Sequence, residues 1–140
     1  MGIVEAVKLR LKMFKITAST EDEGILEYLT VKSLNSINNI TNQNYTVETF
    51  PIPIFEIWVD KAAGEYINLK KITDELPENY DLSLLATQIK LGDTSINLEE
   101  GTASSDEQRL NTAISYLMFG RDRELIRFRR MSRWQEKKSI

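Results

Sequence analysis

The sequence contains no cysteine and no histidine, and these two absences exclude several classes of chemistry. Without cysteine there is no disulfide framework, and without either residue type there is no zinc site of the usual structural kind. Histidine-dependent general-base and triad catalysis is excluded for the same reason. No apolar run approaches the roughly 18 residues of a membrane span. Charges interrupt the N-terminal segment as they do not in a signal peptide. We therefore expect a protein assembled in a cytoplasm, without a membrane partner.

The short motifs that mark common enzyme and cofactor sites are also missing. The sequence has no GxxxxGK[ST], GxGxxG, GxSxG or EF-hand pattern. Acidic pairs such as Asp22 with Glu23 and Glu99 with Glu100 fall at helix starts or in loops, where capping and solvation explain them. We therefore expect no enzymatic activity, no cofactor and no metal site.

The composition is that of a folded protein with an uneven distribution of charge. Its 140 residues are 41% hydrophobic and 28% charged, which predicts a single domain over residues 1–134 and a disordered tail over 135–140. Residues 121–140 carry eight lysine or arginine side chains against three acidic ones, whereas the rest of the chain carries ten against eighteen. An acidic body with a basic end suggests two surfaces with different partners. A terminal charge run can also serve only to keep a tail solvated.

Apolar residues at helical spacing predict most of the chain's secondary structure. The clearest amphipathic helix spans Thr20 to Thr41, and Thr20 with Glu23 has the spacing of a capping box. Its apolar arc consists of Ile25, Leu26, Leu29, Leu34, Ile37 and Ile40. Further helices are predicted at residues 2–14, at 54–71 after two prolines, and from Ser104 to Phe119.

One segment between these helices has the pattern of a β-hairpin. Apolar and polar residues alternate before and after the dipeptide Gly92-Asp93, a favoured hairpin turn. Because the edges of a lone hairpin are unpaired, we expect another copy of the chain to contact it. The predicted subunit contacts are Ile89, Leu91, Gly92, Asp93 and Ile96. The exposed sides of the first and third helices are further candidates for contacts between copies.

The last segment, RDRELIRFRRMSRW, lacks a helical stripe. Ile126 and Phe128 alternate with Arg127 and Arg129, which favours an extended strand or hook. Trp134 ends this basic run, and an aromatic residue flanked by arginines is typical of interfaces. The predicted fold is therefore mainly α, a small bundle of about four helices with one β-hairpin and an extended basic C-terminal segment.

Four stretches in this order carry a resemblance that covers about residues 3–134. They are TEDEGILEYLTVKSLNSINNIT, PIFEIWVDKAAGEYI, IKLGDTSI and LIRFRRMSRW. Together they resemble the head–tail connector (adaptor) proteins of long-tailed bacteriophages and related prophages, in the branch found in phages of Gram-positive bacteria. The resemblance implies a mostly helical structural protein of the virion neck. It also implies a ring, usually dodecameric, that docks below the portal and extends the DNA channel towards the stopper or tail-completion proteins.

The resemblance also implies a role for the C-terminal segment, because the tail helices or hooks of such proteins commonly reach the portal. It places portal docking at Arg127, Phe128, Arg129, Arg130 and Trp134. Genomic DNA would pass through the channel without sequence-specific binding, and an acidic wall would repel its phosphates. A nucleic-acid-binding module that uses the Arg-rich C-terminal segment is the alternative function that the sequence leaves open.

Overall fold

The computed structural model describes residues 1–92 and 106–131, with residues 90–92 described by their backbone alone. Within these ranges the chain forms six α-helices and no strand, which confirms the prediction of a mainly α fold. The helices are α1 (Ile3–Lys12), α2 (Glu23–Thr41), α3 (Phe55–Ile72), α4 (Ser83–Gly92), α5 (Asp106–Phe119) and α6 (Asp122–Leu125). Short 3₁₀ turns cover Thr20–Asp22, Ile52–Ile54 and Ile126–Phe128.

Helix α3 is the centre of the fold, since α1, α2 and α5 all pack against it. Pro53 stands in the 3₁₀ turn that leads into α3, where its fixed φ suits a helix start and its missing N–H is not needed. Nearly every residue from Ile57 to Ile67 is buried, so the helix has no continuous solvent face there. A helix enclosed in this way is typical of the middle of a bundle.

Two clusters of buried apolar side chains hold the helices together. The larger cluster joins α1, α2, α3, α4 and α5 around residues such as Leu11, Leu26 and Tyr66. The smaller cluster joins the second half of α2, the start of α3 and α6, and it consists of Leu34, Ile37, Ile54, Ile57, Trp58 and Leu125. Leu125 is fully buried there, so the first part of the basic C-terminal segment belongs to the folded body.

Helix α2 has the predicted length but begins differently from the prediction. Thr20 opens a 3₁₀ turn, Asp22 stands at the N-cap, and no side chain caps the helix, so the predicted capping box is wrong. The Glu23 carboxylate lies 2.6 Å from the Lys8 ammonium instead. At the other end Asn42 adopts a left-handed conformation with φ 54°, which asparagine tolerates better than most residues.

The predicted β-hairpin is wrong over its first arm, because Ile89, Leu91 and Gly92 belong to α4. Leu85 and Ile89 are both fully buried, and residues four apart lie on one face of a helix. Helical spacing therefore accounts for these apolar residues better than the alternation of a strand. The remaining predicted contacts of the hairpin, Asp93 and Ile96, lie outside the described residues.

The extended conformation predicted for the C-terminal segment begins later than expected. Ile126–Phe128 form a 3₁₀ turn directly after α6, so the strand prediction is wrong there. Arg129 is extended, with φ −72° and ψ 127°. Trp134 and the predicted disordered tail at residues 135–140 lie outside the described residues.

Gly64 lies where α3 packs against α5. A Cβ atom added to Gly64 would come within 2.7 Å of the Met118 Cγ and 2.9 Å of the Leu117 Cβ. Real Cβ contacts are essentially never that short, so any side chain at this position would push the helices apart. The absence of a side chain is what allows the two helices to approach.

We expect Gly64→Ala to lower the free energy of unfolding by about 1–2 kcal/mol, because overpacking outweighs the gain in helix propensity. Gly24→Ala in α2 is the matched control, since an added Cβ would meet nothing within 4 Å there. The control should leave stability unchanged or raise it by up to about 1 kcal/mol. Urea unfolding followed by far-UV circular dichroism measures both. Equal effects of the two substitutions would contradict the close approach of α3 and α5.

Candidate functional site

Hydrogen bonds from main-chain and side-chain atoms hold the C-terminal segment against the end of α2. The Arg130 N–H donates to the Thr41 carbonyl at 2.8 Å, which gives that carbonyl at the helix end a partner. The Asn42 side-chain amide donates to the Arg130 carbonyl at 3.3 Å, and that of Gln43 to the Phe128 carbonyl at 3.0 Å. The segment therefore has a defined path across the body of the protein as far as Met131.

The structure brings together four of the five predicted portal-docking residues, and two of them are exposed. Arg127 and Arg129 are exposed, whereas Phe128 and Arg130 are partly buried. The Arg127 guanidinium lies 4.8 Å from the centre of the Phe128 ring, a cation–π contact that orients the side chain. The Arg130 Nε is buried and has no hydrogen-bond partner within the described part of the chain. Trp134 lies outside the described residues.

Three exposed arginines of this region form no salt bridge with the described residues: Arg123, Arg127 and Arg129. Arg127 acts on Glu124 only through a longer-range attraction. Arg121 contrasts with them, because Glu124 accepts two hydrogen bonds from its guanidinium, at 2.8 and 3.1 Å. This pairing holds the pKa of Glu124 below its usual range. The three exposed guanidiniums keep their donors available for carboxylate or phosphate groups of a partner.

Exposed apolar side chains stand beside these arginines. Ile126 and Met131 flank the predicted docking residues, and both are mostly exposed. Arginine, methionine and aromatic residues are enriched at protein interfaces relative to the rest of the surface. We refer to the exposed part of residues 123–131 as the C-terminal patch.

A buried ionic cluster joins this region to the centre of the fold. The Asp60 carboxylate of α3 lies 2.8 Å from the Arg10 Nε and 3.5 Å from an Arg121 guanidinium nitrogen. Arg10 also donates to the Gln88 side chain of α4 at 3.0 Å. Burial raises the pKa of Asp60, and the two guanidiniums oppose that effect. The cluster ties α1, α3 and α4 to the residue that precedes α6.

A second ionic cluster lies at the start of α2. The Tyr66 hydroxyl donates to Asp22 at 2.6 Å, and the Lys70 ammonium lies 2.8 Å from the same carboxylate. These two donors lower the pKa of Asp22, while burial raises that of Tyr66. The donors and acceptors of this cluster bind one another, so its arrangement is that of a structural network. Asp22 lies 44 residues before Tyr66, and no sequence motif indicates that they pair.

A third polar contact fixes α6. The ammonium group of Lys61, a buried residue of α3, donates to the Met118 carbonyl and to the Asp122 carboxylate, each at 2.5 Å.

Among the described residues, no three or more acidic side chains are grouped so that they could hold a metal ion. Nor is any helix in this part of the chain long and apolar enough to cross a membrane.

Of the side chains predicted to contact another subunit, the structure describes that of Ile89. Ile89 is fully buried in the larger core cluster and does not reach the surface of the described body. The exposed side of α1, one of the two helices named as further candidates, carries apolar side chains. Leu9 and Met13 help to line a groove of about 470 Å³, to which α3 contributes Phe55 and Val59. Charged residues of the Asp60 cluster line the same groove.

No protein-family model, curated protein or solved structure matches this chain.

Proposed function

We propose that this chain is a structural head–tail adaptor of a long-tailed phage, a ring-forming protein of the virion neck that docks on the portal through its C-terminal patch. One observation carries the proposal: a helical body holds an arginine-bearing segment in a fixed position, while Arg127 and Arg129 stay exposed and form no salt bridge within residues 1–92 and 106–131. The resemblance of the sequence stretches to connector proteins supplies the identity of the partner. The chain acts in this role without catalysis.

The attachment of the segment to the body supports a docking role. Leu125 is buried at its base, and the backbone of Arg130 is bonded to the end of α2. A surface that is already ordered loses less conformational entropy on binding than a free tail does. The arginines would therefore bind carboxylates of the portal at a smaller loss of conformational entropy, because folding has already ordered the segment that carries them.

The other partners follow from the same role. Further copies of the chain complete the ring, and the far side of the ring receives the stopper or tail-completion protein. The acidic balance of residues 1–120 suits a channel that genomic DNA crosses without adhering, because carboxylates repel phosphates. Assembly takes place in the cytoplasm of the bacterial host.

A second candidate function is supported by the same three arginines, which form no salt bridge with any residue that the structure describes. Arg123, Arg127 and Arg129 present guanidiniums that could neutralise the phosphates of a nucleic acid. Such binding would weaken steeply as salt concentration rises, since it depends on the release of counterions.

One pair of variants tests both candidates. We expect Arg127→Glu/Arg129→Glu to remain folded by circular dichroism and to lose at least about tenfold in affinity for the portal ring encoded in the same genome, because like charges oppose docking. Lys71→Glu/Arg109→Glu makes the same change of charge on α3 and α5 and should bind as the unaltered chain does. Co-sedimentation with the portal measures the binding.

The outcomes of that experiment separate the two functions. Portal binding that survives the change at Arg127 and Arg129 would contradict the proposed docking surface. Salt-sensitive binding of double-stranded DNA by the isolated chain, lost in the same variant and without any portal binding, would replace the adaptor proposal with the nucleic-acid one. The genes beside this one give an independent check, since an adaptor gene is expected among portal, capsid and stopper genes.

A further inference from the structure

The two residues that follow α2 hold the C-terminal segment by their side-chain amides. The Asn42 amide donates to the Arg130 and Met131 carbonyls, each at 3.3 Å. The Gln43 amide donates to the Phe128 carbonyl at 3.0 Å. The backbone N–H of Arg130 is bonded to the same helix end. We call Asn42 and Gln43 the α2 clamp.

Side chains of the clamped segment alternate between its outer side and the body of the protein. Arg127, Arg129 and Met131 are exposed, whereas Phe128 and Arg130 between them are partly buried. The backbone of Arg129 is extended, and consecutive side chains of an extended chain point to opposite sides. A shift of this part by one residue would therefore turn Arg129 towards the body and Arg130 outwards. The register of the segment decides which arginines it presents.

The side chains of the clamp are not needed to end α2. Asn42 has a left-handed φ of 54°, and glycine would adopt that conformation with less strain. Glycine has no side-chain amide, however, and could not donate to the segment. The backbone N–H of Gln43 bonds to the Asn38 carbonyl at 3.1 Å, and its side chain takes no part in that bond. Both amides therefore serve the segment.

We propose that Asn42 and Gln43 are positioning residues of the docking surface, which set the register of the C-terminal segment and so keep Arg129 on its outer side. Both bind backbone carbonyls, so they fix the position of the segment whatever side chains it carries. The clamp acts through Arg129 and does not itself contact the portal. The inference deepens the proposed function and rests on it for the identity of the partner.

Removal of both amides tests the clamp. Asn42→Gly/Gln43→Ala keeps a residue that tolerates the left-handed conformation and should keep the helical circular dichroism signal. We expect the Arg130 amide to exchange its hydrogen at least about fivefold faster by NMR, and affinity for the portal to fall at least about fivefold, because the segment leaves α2 more often. Asn44→Ala is the matched control and should change neither quantity. Asn44 is exposed, and its side chain makes no hydrogen bond within the part of the chain that the structure describes.

A double-mutant cycle with Arg129 separates positioning from a general loss of stability. Arg129→Ala should weaken portal binding in the unaltered chain. It should weaken binding at least about threefold less when the clamp amides are already absent, because Arg129 is then no longer held on the outer side. Equal effects of Arg129→Ala in the two chains would overturn the proposal.

The two measurements also distinguish this inference from the proposed function. Faster exchange at Arg130 with unchanged portal affinity would reject the positioning role and leave the adaptor role standing. An unaltered chain that binds no portal would reject the adaptor role, whereas faster exchange at Arg130 in the clamp variant would still support the clamp. Exchange at Arg130 no faster than in the Asn44→Ala control would overturn the clamp itself.

Discussion

Trp58→Ala is expected to lower the free energy of unfolding by about 3–5 kcal/mol, the range observed when a large aromatic side chain is removed from a core. Trp58 is only 1% exposed, and its indole N–H donates to the Thr30 carbonyl of α2 at 2.8 Å. Its ring also lies edge-on to Phe50 and Phe55, with centroids 5.3 and 6.4 Å away. Because small domains are stable by about 5–15 kcal/mol, this loss is a large share of the total.

Two further variants separate the contributions to this effect. Trp58→Phe keeps an aromatic ring but removes the donor to Thr30, and should cost less than Trp58→Ala by at least about 1 kcal/mol. Ile52→Ala removes an almost fully exposed apolar side chain and should stay within about 0.5 kcal/mol of the unaltered protein. Urea unfolding gives all three values. A Trp58→Ala variant as stable as Ile52→Ala would contradict the role of the smaller cluster as a core.

The helices of the body could be predicted because their sequences repeat the helical period over many residues. Helix α2 shows this over nineteen residues and α3 over eighteen, and in both the predicted limits lie close to the observed ones. Their starts were less predictable, since Thr20 and Glu23 have the spacing of a capping box yet do not form one. The competing attraction of Lys8 for Glu23 comes from another helix and leaves no local signal in the sequence.

The secondary structure of short apolar runs was predicted less well, because two or three apolar residues fit both the period of a helix and that of a strand. Ile89 and Leu91 alternate with polar neighbours as in a strand, yet Leu85 and Ile89 also share a helical face, and the core around them favours the helix. The same ambiguity affected Ile126 and Phe128. Burial of Leu125 beside Trp58 holds that part of the segment in a helical turn.

The charges of the C-terminal patch could be recognised from the sequence, but the ionic clusters inside the body could not. A run of arginines is visible in the order of residues, whereas Tyr66 and Asp22 are 44 residues apart and Lys61 and Asp122 are 61 apart. Pairings of this kind are produced by the packing of helices. The sequence pattern predicts an apolar interior and an acidic surface. The pairings therefore place charged groups where only apolar side chains were expected.

The most informative of these clusters for stability is the one around Asp60, since burying a carboxylate is costly unless its partners stay in place. Burial raises the pKa of Asp60 even though Arg10 and Arg121 lie against it, which indicates that desolvation outweighs the attraction. Buried salt bridges are in general a weak source of net stability while they are intact. The cluster becomes a large source of instability once one member is removed, because the remaining charges lose their partner.

We therefore expect Asp60→Ala to lower the free energy of unfolding by about 3 kcal/mol. This value is at the lower end of the range of about 3–5 kcal/mol that is usual when one partner of a buried pair is removed. The reason is that Arg121 still pairs with Glu124 and Arg10 still donates to Gln88 after the substitution. Asp106→Ala, which breaks a surface pair with Arg109, should cost no more than about 1 kcal/mol. The combined change Arg10→Met/Asp60→Leu replaces the main pair by apolar groups and should be more stable than Asp60→Ala alone, since no guanidinium of α1 is then left without its carboxylate. Urea unfolding at neutral pH compares the three variants. If the combined variant were the least stable, the pair itself would be a net source of stability, and the account of Asp60 as a desolvated group held by its partners would be wrong.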